Sequence, residues 1–204
     1  MAELIKMYEE NPDARSLKKI VACLKNGGVI IYPTDTIYAL GCDITQKKAI
    51  EKICRLKGIK PDKAHLSFIC SDLSHISDYV KNPDTALFKV MKKNLPGPFT
   101  FILKASKNVP KLLMNNKKTV GIRVPDNNIA LAIVRELGNP IISTSLHLSD
   151  PIMEYPTNPE LMWEYYDDHV DIVVDGGAGS LEASTVLDCT GDEIEILRQG
   201  KGIL

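Results

Sequence analysis

The chain alternates between short apolar runs and stretches in which apolar residues recur every three or four positions. Runs rich in Val and Ile that end at Pro, Gly or Asp are typical of strands, and the wider spacing is typical of amphipathic helices. Strands are predicted at 29–32, 66–70, 99–103, 120–124, 140–144, 172–174, 185–187 and 194–197. Helices, counted with their capping residues, are predicted at 16–25, 47–57, 84–94, 127–137 and 159–166.

The order of these elements predicts the fold class. Helices and strands alternate over the first two thirds of the chain, and strands dominate near its end. This order is typical of an α/β (α+β) fold with a twisted, open, mixed sheet flanked by helices. No linker divides the sequence, so residues 1–204 are expected to form a single domain. Ligands of such sheets usually bind beyond the strand ends, and the polar clusters of this chain are predicted to lie there.

Composition excludes several classes of protein. Hydrophobic residues make up 44% of the chain and charged residues 25%, a balance typical of globular proteins. No apolar run approaches the roughly 20 residues needed to cross a bilayer, and the N-terminus lacks the apolar stretch of a secretory signal. A cytoplasmic location without membrane contact is therefore expected. The five scattered cysteines and four histidines show no metal-ligand spacing, so no protein-built metal site is predicted.

The charge distribution is uneven along the chain. Residues 51–123 hold 15 Lys and Arg against 5 Asp and Glu, whereas residues 124–204 hold 3 against 15. A basic segment of this strength favours anionic partners such as nucleotide phosphates or RNA. The alternative is that both segments belong to one fold and their charges intermingle on its surface.

Candidate binding residues follow several of the predicted strands. Thr34, Asp35 and Thr36 come directly after the strand at 29–32, although a proline turn with an Asp cap explains them equally well. The other clusters are Arg55, Lys57, Lys60 and Lys63; Arg123; Ser143, Thr144 and Ser145 with His147; and Ser184 and Thr185 with Arg198. Cations and hydroxyls of this kind can bind an anion without a glycine-rich phosphate loop, a motif that the sequence lacks. A solvated lysine face and turn-capping hydroxyls are the alternatives.

Six segments in this order resemble the YrdC/Sua5 superfamily, and their details are closest to the YciO branch. They are YPTDTIYALGCD (32–43), RLKG (55–58), PGPFTFIL (96–103), GIRVP (121–125), ISTS (142–145) and STVLD (184–188). The resemblance implies a YrdC-like twisted α/β fold around a large concave surface. It also implies an activity in which L-threonine, bicarbonate and ATP form threonylcarbamoyl-AMP and pyrophosphate, for modification of tRNA adenosine 37. Double-stranded RNA binding is a further property of the superfamily.

The resemblance also implies roles for individual residues. Thr34, Thr36, Arg123 and Ser184 are expected to bind the threonine substrate, because they match the family positions that do so. Lys57, Ser143, Ser145, His147 and Arg198 are expected to bind the nucleotide, and Lys57 and Lys60 are expected to act in catalysis. Magnesium is expected to accompany ATP. No protein nucleophile is needed, since alignment and charge neutralisation suffice.

Two positions depart from the family pattern. Ile59 stands where the family has arginine, and His147 stands where it has asparagine. Loss of a guanidinium over polyphosphate removes a charge-assisted contact of about 1.5–3 kcal/mol, for which Lys60 is placed to compensate. Two functions therefore remain open at this point. One is the synthase, and the other is a double-stranded RNA- or tRNA-binding protein with weak or no synthase activity.

Overall fold

The computed structural model of the protein describes residues 1–64, 66–81, 83–146 and 155–204. Within these residues, ten strands form one mixed sheet that is flanked by six helices. The strands are β1 Glu3–Lys6, β2 Ile30–Tyr32, β3 Ala39–Asp43, β4 Ser67–Ile69, β5 Phe99–Lys104, β6 Thr119–Arg123, β7 Ile141–Ser145, β8 Ile172–Asp175, β9 Thr185–Asp188 and β10 Glu195–Arg198. The helices are α1 Ala14–Lys25, α2 Lys47–Leu56, α3 Leu73–Ser77, α4 Thr85–Asn94, α5 Asn128–Leu137 and α6 Pro159–Tyr166.

The strand order across the sheet is β1-β8-β2-β3-β7-β4-β6-β5-β9-β10. The pairs β1–β8, β8–β2, β4–β6 and β5–β9 are parallel, and the remaining pairs are antiparallel. The predicted mixed α/β architecture is thereby confirmed. Antiparallel pairs in the middle of the sheet bring β7 between β3 and β4, so segments that are far apart in sequence become neighbours.

Two hydrophobic cores lie on opposite faces of this sheet. On one face, Ile20 and Leu24 of α1 and Ile133 of α5 pack against residues of β2 and β8 such as Ile30 and Ile172. On the other face, residues of α2, α4 and α6 pack against apolar residues of most of the strands. The helices α1 and α5 contact each other and cover only part of their face, which contains β1, β8 and β2 and the single residues Ala39 of β3, Ile69 of β4 and Ile141 of β7.

The helix ends show why these segments fold as helices. Asp13, Asp84 and Asn127 occupy N-cap positions, and each side chain accepts a hydrogen bond from a backbone N–H of the first turn. Gly138 ends α5 with φ of +77°, a conformation that glycine adopts without a Cβ penalty. The predicted helix starts at 84 and 127, which include the capping residues, are confirmed by the caps at Asp84 and Asn127.

Three elements are absent from the sequence prediction: β1, β3 and α3. β1 and α3 are only four and five residues long, too short for a clear periodic signal. β3 reads Ala-Leu-Gly-Cys-Asp, and an internal glycine argues against a strand. Gly41 is nevertheless required there, because a Cβ would lie 2.7 Å from the Tyr32 ring on the neighbouring strand.

Candidate functional site

A cavity of about 420 Å³ lies on the part of the sheet face that α1 and α5 leave open. Its wall is built from alternate residues of five strands: Ser67 of β4, Thr100 and Ile102 of β5, Thr119, Gly121 and Arg123 of β6, Ser143 and Ser145 of β7, and Val186 and Asp188 of β9. Successive side chains of a strand point to opposite faces, so this spacing places them all on one face. Residues between them, such as Phe101, Ile122 and Leu187, belong to the core on the opposite face.

The floor of the cavity is a row of small residues across the sheet. Ser143 lies opposite Ser67, Ser67 opposite Gly121, and Gly121 opposite Ile102. A Cβ on Gly121 would approach Ser67 Oγ to 3.2 Å. The cavity is therefore deeper at Gly121 than it would be with any other residue, because a side chain there would project into it.

A buried ion pair forms one end of the cavity. Arg123 Nη2 donates to Asp35 Oδ1 at 2.8 Å and to Thr36 Oγ1 at 3.0 Å. The Arg123 and Asp35 side chains are only 9% and 7% exposed. Arg123 Nε and Asp35 Oδ2 are buried without a hydrogen-bond partner among the described residues. Buried polar groups are usually paired, so this end of the cavity has unused hydrogen-bonding capacity beside a fixed cation.

A second polar group converges from the other edge of the sheet. Ser184 and Thr100 are both buried, and their hydroxyl oxygens lie 2.8 Å apart. Arg198 donates from Nε and Nη2 to the Ser184 backbone carbonyl at 3.1 and 2.8 Å. This bidentate contact holds β10 and the start of β9 in register and keeps a second guanidinium on the cavity wall.

The third side is formed by β7. The Tyr32 hydroxyl donates to Ser143 Oγ at 2.7 Å, so Ser143 keeps its own hydrogen for a ligand. Lys57 Nζ donates to the Ser145 backbone carbonyl at 3.1 Å. Burial lowers the pKa of Lys57 from its ordinary value. This lysine is not among the described residues that line the cavity.

The remaining predicted residues lie elsewhere. Thr34 and Thr36 line a second cavity of about 370 Å³, which meets the first at the Asp35–Arg123 pair. Lys60 is exposed, at the start of a 3-10 turn over Pro61–Lys63. His147 lies outside the described residues. The roles assigned above to these residues stay predictions.

The cavity is lined both by residues at strand ends, as expected, and by residues within the sheet. Arg123, Ser145 and Arg198 are the last residues of their strands, whereas Ser67, Thr100, Gly121 and Ser143 lie within or at the start of strands. The physical reason is that helices cover only part of this face. The exposed remainder offers polar residues at every second position of each strand.

Several lining residues were not predicted from the sequence. They are Thr100, Asn115, Lys117, Thr119 and Asp188. Thr100 and Thr119 could have been found because each is a polar residue in an otherwise apolar strand. Thr119 also lies four residues before Arg123, so the two side chains are expected on the same face of the strand.

The cavity does not provide a magnesium site made of protein ligands. Asp188 is its one carboxylate among the described lining residues, and its Oδ1 already accepts two hydrogen bonds from Thr190. The described residues contain no group of three or more His, Cys, Asp or Glu that could hold a metal ion. Magnesium in nucleotide sites usually needs one or two carboxylates besides phosphate oxygens and water. The described lining residues therefore do not fit a magnesium ion held by protein ligands.

This geometry is that of an α/β protein with a polar cavity on an open sheet face. The Sua5/YciO/YrdC family model, which carries the description "telomere recombination", matches residues 22–200. The chain belongs to this family. Escherichia coli YciO is 41% identical over 204 residues, which cover 99% of this chain and 97% of YciO. The crystal structure of E. coli YciO superposes with a TM-score of 0.93 at 40% identity, covering 100% of this chain and 98% of that one.

Relatives with a named activity are more distant. A threonylcarbamoyl-AMP synthase of Bacillus subtilis is 33% identical over 187 residues, which cover 90% of this chain and 53% of the synthase. Pyrococcus abyssi Sua5, whose structure was solved in complex with L-threonine, superposes with a TM-score of 0.86 at 25% identity. The match covers 97% of this chain and 57% of Sua5. Among the described residues, no helix has the length and apolar character needed to cross a membrane.

Proposed function

We propose that this protein synthesises threonylcarbamoyl-AMP from L-threonine, bicarbonate and ATP, for the threonylcarbamoyl modification of tRNA adenosine 37. The observation that carries the proposal is Arg123, a buried cation on the cavity wall that is fixed by Asp35 and Thr36. A planar guanidinium suits bidentate binding of a carboxylate. The relation to the synthases and to a threonine-bound Sua5 supports threonine as the ligand.

The residues of the cavity suit a reaction that depends on alignment. The threonine nitrogen attacks bicarbonate carbon, water leaves, and the product is a carbamate. A carbamate oxygen then attacks the α-phosphorus of ATP, and the bond to the β-phosphate oxygen breaks to release pyrophosphate. Arg123 would hold the threonine carboxylate, and Ser143, Ser145 and Arg198 would face the nucleotide. Fixed cations and hydroxyls lower the barrier by orienting the reactants and neutralising developing charge.

The decisive assay follows pyrophosphate release from ATP and bicarbonate with and without L-threonine. The proposal predicts pyrophosphate release that depends on threonine and saturates with it. Arg123→Lys should weaken the binding of threonine, because lysine keeps the positive charge but lacks the two parallel N–H donors of the guanidinium. Arg135→Ala serves as the matched control, because Arg135 is exposed on α5. Release that ignores threonine, or an Arg123→Lys variant that saturates like the wild type, contradicts the assignment.

A specific observation favours a second candidate, binding of double-stranded RNA or tRNA. Every lysine from Lys60 to Lys118 is exposed, so the basic segment forms a surface rather than internal ion pairs. Binding of phosphates by such lysines releases counterions and gives a steep salt dependence. Duplex RNA that binds with this dependence, combined with no threonine-dependent pyrophosphate release, would favour the binding protein over the synthase.

A further inference from the structure

Lys117, which follows the end of the 3-10 turn over Lys111–Leu113, is the lysine among the described residues that lines the cavity. Lys57, the lysine predicted to act there, donates to a backbone carbonyl and is not among the described lining residues. The family arginine is replaced by Ile59, which is 39% exposed and not among the described lining residues. Lys117 therefore supplies the cavity with a cation that neither Lys57 nor the residue at position 59 provides.

The turn that carries Lys117 is held rigidly. Asn115 Nδ2 donates to Thr119 Oγ1 at 2.9 Å, and the Thr119 backbone N–H donates to Asn115 Oδ1 at 3.0 Å. Lys118 has φ of +52°, which a residue with a Cβ rarely adopts. Strain of this kind persists only where the surroundings fix it, and it often marks a functional segment. Here it turns the chain sharply between Lys117 and the start of β6.

The charges around the cavity favour an anion at this position. Lys117 and Arg198 line it together with Arg123, whose charge is balanced by Asp35, and Asp188 is the single acidic residue among the described lining residues. The alternative is that Lys117, like most exposed lysines, contacts only solvent. Lys117 and its neighbour Lys118 are both exposed, but of these two only Lys117 lines the cavity.

We infer that Lys117 binds the polyphosphate of the nucleotide. The identification of the anion as a nucleoside triphosphate rests on the proposed function. The inferred anion contact itself rests on the cavity geometry alone. Lys117 is a binding residue in this account, and Asn115 is a positioning residue that acts through it.

The test compares Lys117→Met with Lys118→Met by calorimetric titration with inorganic pyrophosphate and with ATP. Both variants lose one exposed positive charge of the same turn, so the long-range charge effect is matched. Lys117→Met is expected to weaken binding of both probes about three- to tenfold, since an exposed charge-assisted contact is worth less than a buried one. Lys118→Met is expected to stay within about twofold of the wild type. Thermal unfolding of both variants checks that the fold is intact.

The outcomes separate this inference from the proposed function. Equal affinities for the two variants overturn the role of Lys117, whether or not pyrophosphate is released in the threonine assay. A selective loss in Lys117→Met supports it even if the assay shows no threonine dependence, in which case the synthase proposal fails alone. A wild-type protein that binds neither probe overturns both.

Discussion

One face of the sheet is divided into two parts that have the same backbone geometry and opposite chemistry. In the part under α1 and α5, strands β2, β3 and β8 are buried on both sides and are almost wholly apolar. In the part that holds β6 and β9, buried residues alternate with half-buried ones. The alternating strands carry the cavity.

The difference shows that the helices covering a strand determine which residues it can present on that face. A strand packed between helices must be apolar on both faces, because a buried polar group without a partner is costly. A strand covered on one face is free to present polar residues on the other. Tyr32 marks the border, since its ring belongs to the closed core while its hydroxyl donates to Ser143 of the cavity.

The largest effect is expected from Arg123→Ala at the end of the open part. The variant leaves the Asp35 carboxylate buried without its cation, so the free energy of unfolding should fall by about 3–5 kcal/mol. Urea unfolding measures this, with Arg135→Ala as the control. The double variant Arg123→Ala with Asp35→Asn should recover part of the loss. A single variant within about 1 kcal/mol of the wild type would show that the pair is not buried as described.

The comparison is tested next by matched isoleucine substitutions in the two parts. Ile133→Ala removes a fully buried side chain beneath α5 and should cost about 2–5 kcal/mol. Ile102→Ala, on the cavity wall, should cost about 1 kcal/mol because its side chain is only partly buried. The difference in unfolding free energy between the two variants is the measurement, and equal losses would contradict the division of the face.

Gly121→Val is expected to separate stability from binding. The added methyl groups enter the cavity rather than a packed core, so we expect a loss of about 1 kcal/mol or less. The affinity for ATP should fall more than tenfold, because the valine side chain fills the floor of the cavity. Gly191→Val, at an exposed turn, controls for the change in backbone freedom. A variant that binds ATP like the wild type would place the ligand elsewhere.

The smallest effect concerns Lys57. Its pKa is lowered by burial below the ordinary value of 10.5, so the folded protein releases this proton more readily than the unfolded chain. Raising the pH from 7 toward 10.5 should therefore favour the wild type relative to Lys57→Met. Unfolding at several pH values measures the difference between the two proteins, which cancels contributions from other groups. A difference that stays constant, or that moves against the wild type as the pH rises, would show that Lys57 is not desolvated.

Periodicity predicted most of the fold because each long element buries one face. Helix α5 illustrates this: its apolar spacing, its Asn127 cap and the stop at Gly138 are all local signals. β3 was not predicted because its internal glycine argues against a strand. Gly41 is needed there because the Tyr32 ring of the neighbouring strand approaches closely, and this tertiary contact is not visible in the local sequence.

The candidate site was only partly predictable for a similar reason. Local motifs singled out Arg123, Ser143 and Ser184, but their convergence depends on the strand order β7-β4-β6-β5-β9. Lys117 could not be distinguished from other lysines by sequence, since only the turn fixed by Asn115 brings it to the cavity.

The most direct test of the account is a crystal structure of the protein with L-threonine and a non-hydrolysable ATP analogue. The account predicts the threonine carboxylate on the Arg123 guanidinium and the nucleotide along the open sheet face, with its phosphates between Ser143 and Lys117. Threonine or nucleotide bound outside this cavity, at ligand concentrations that support turnover, would contradict it.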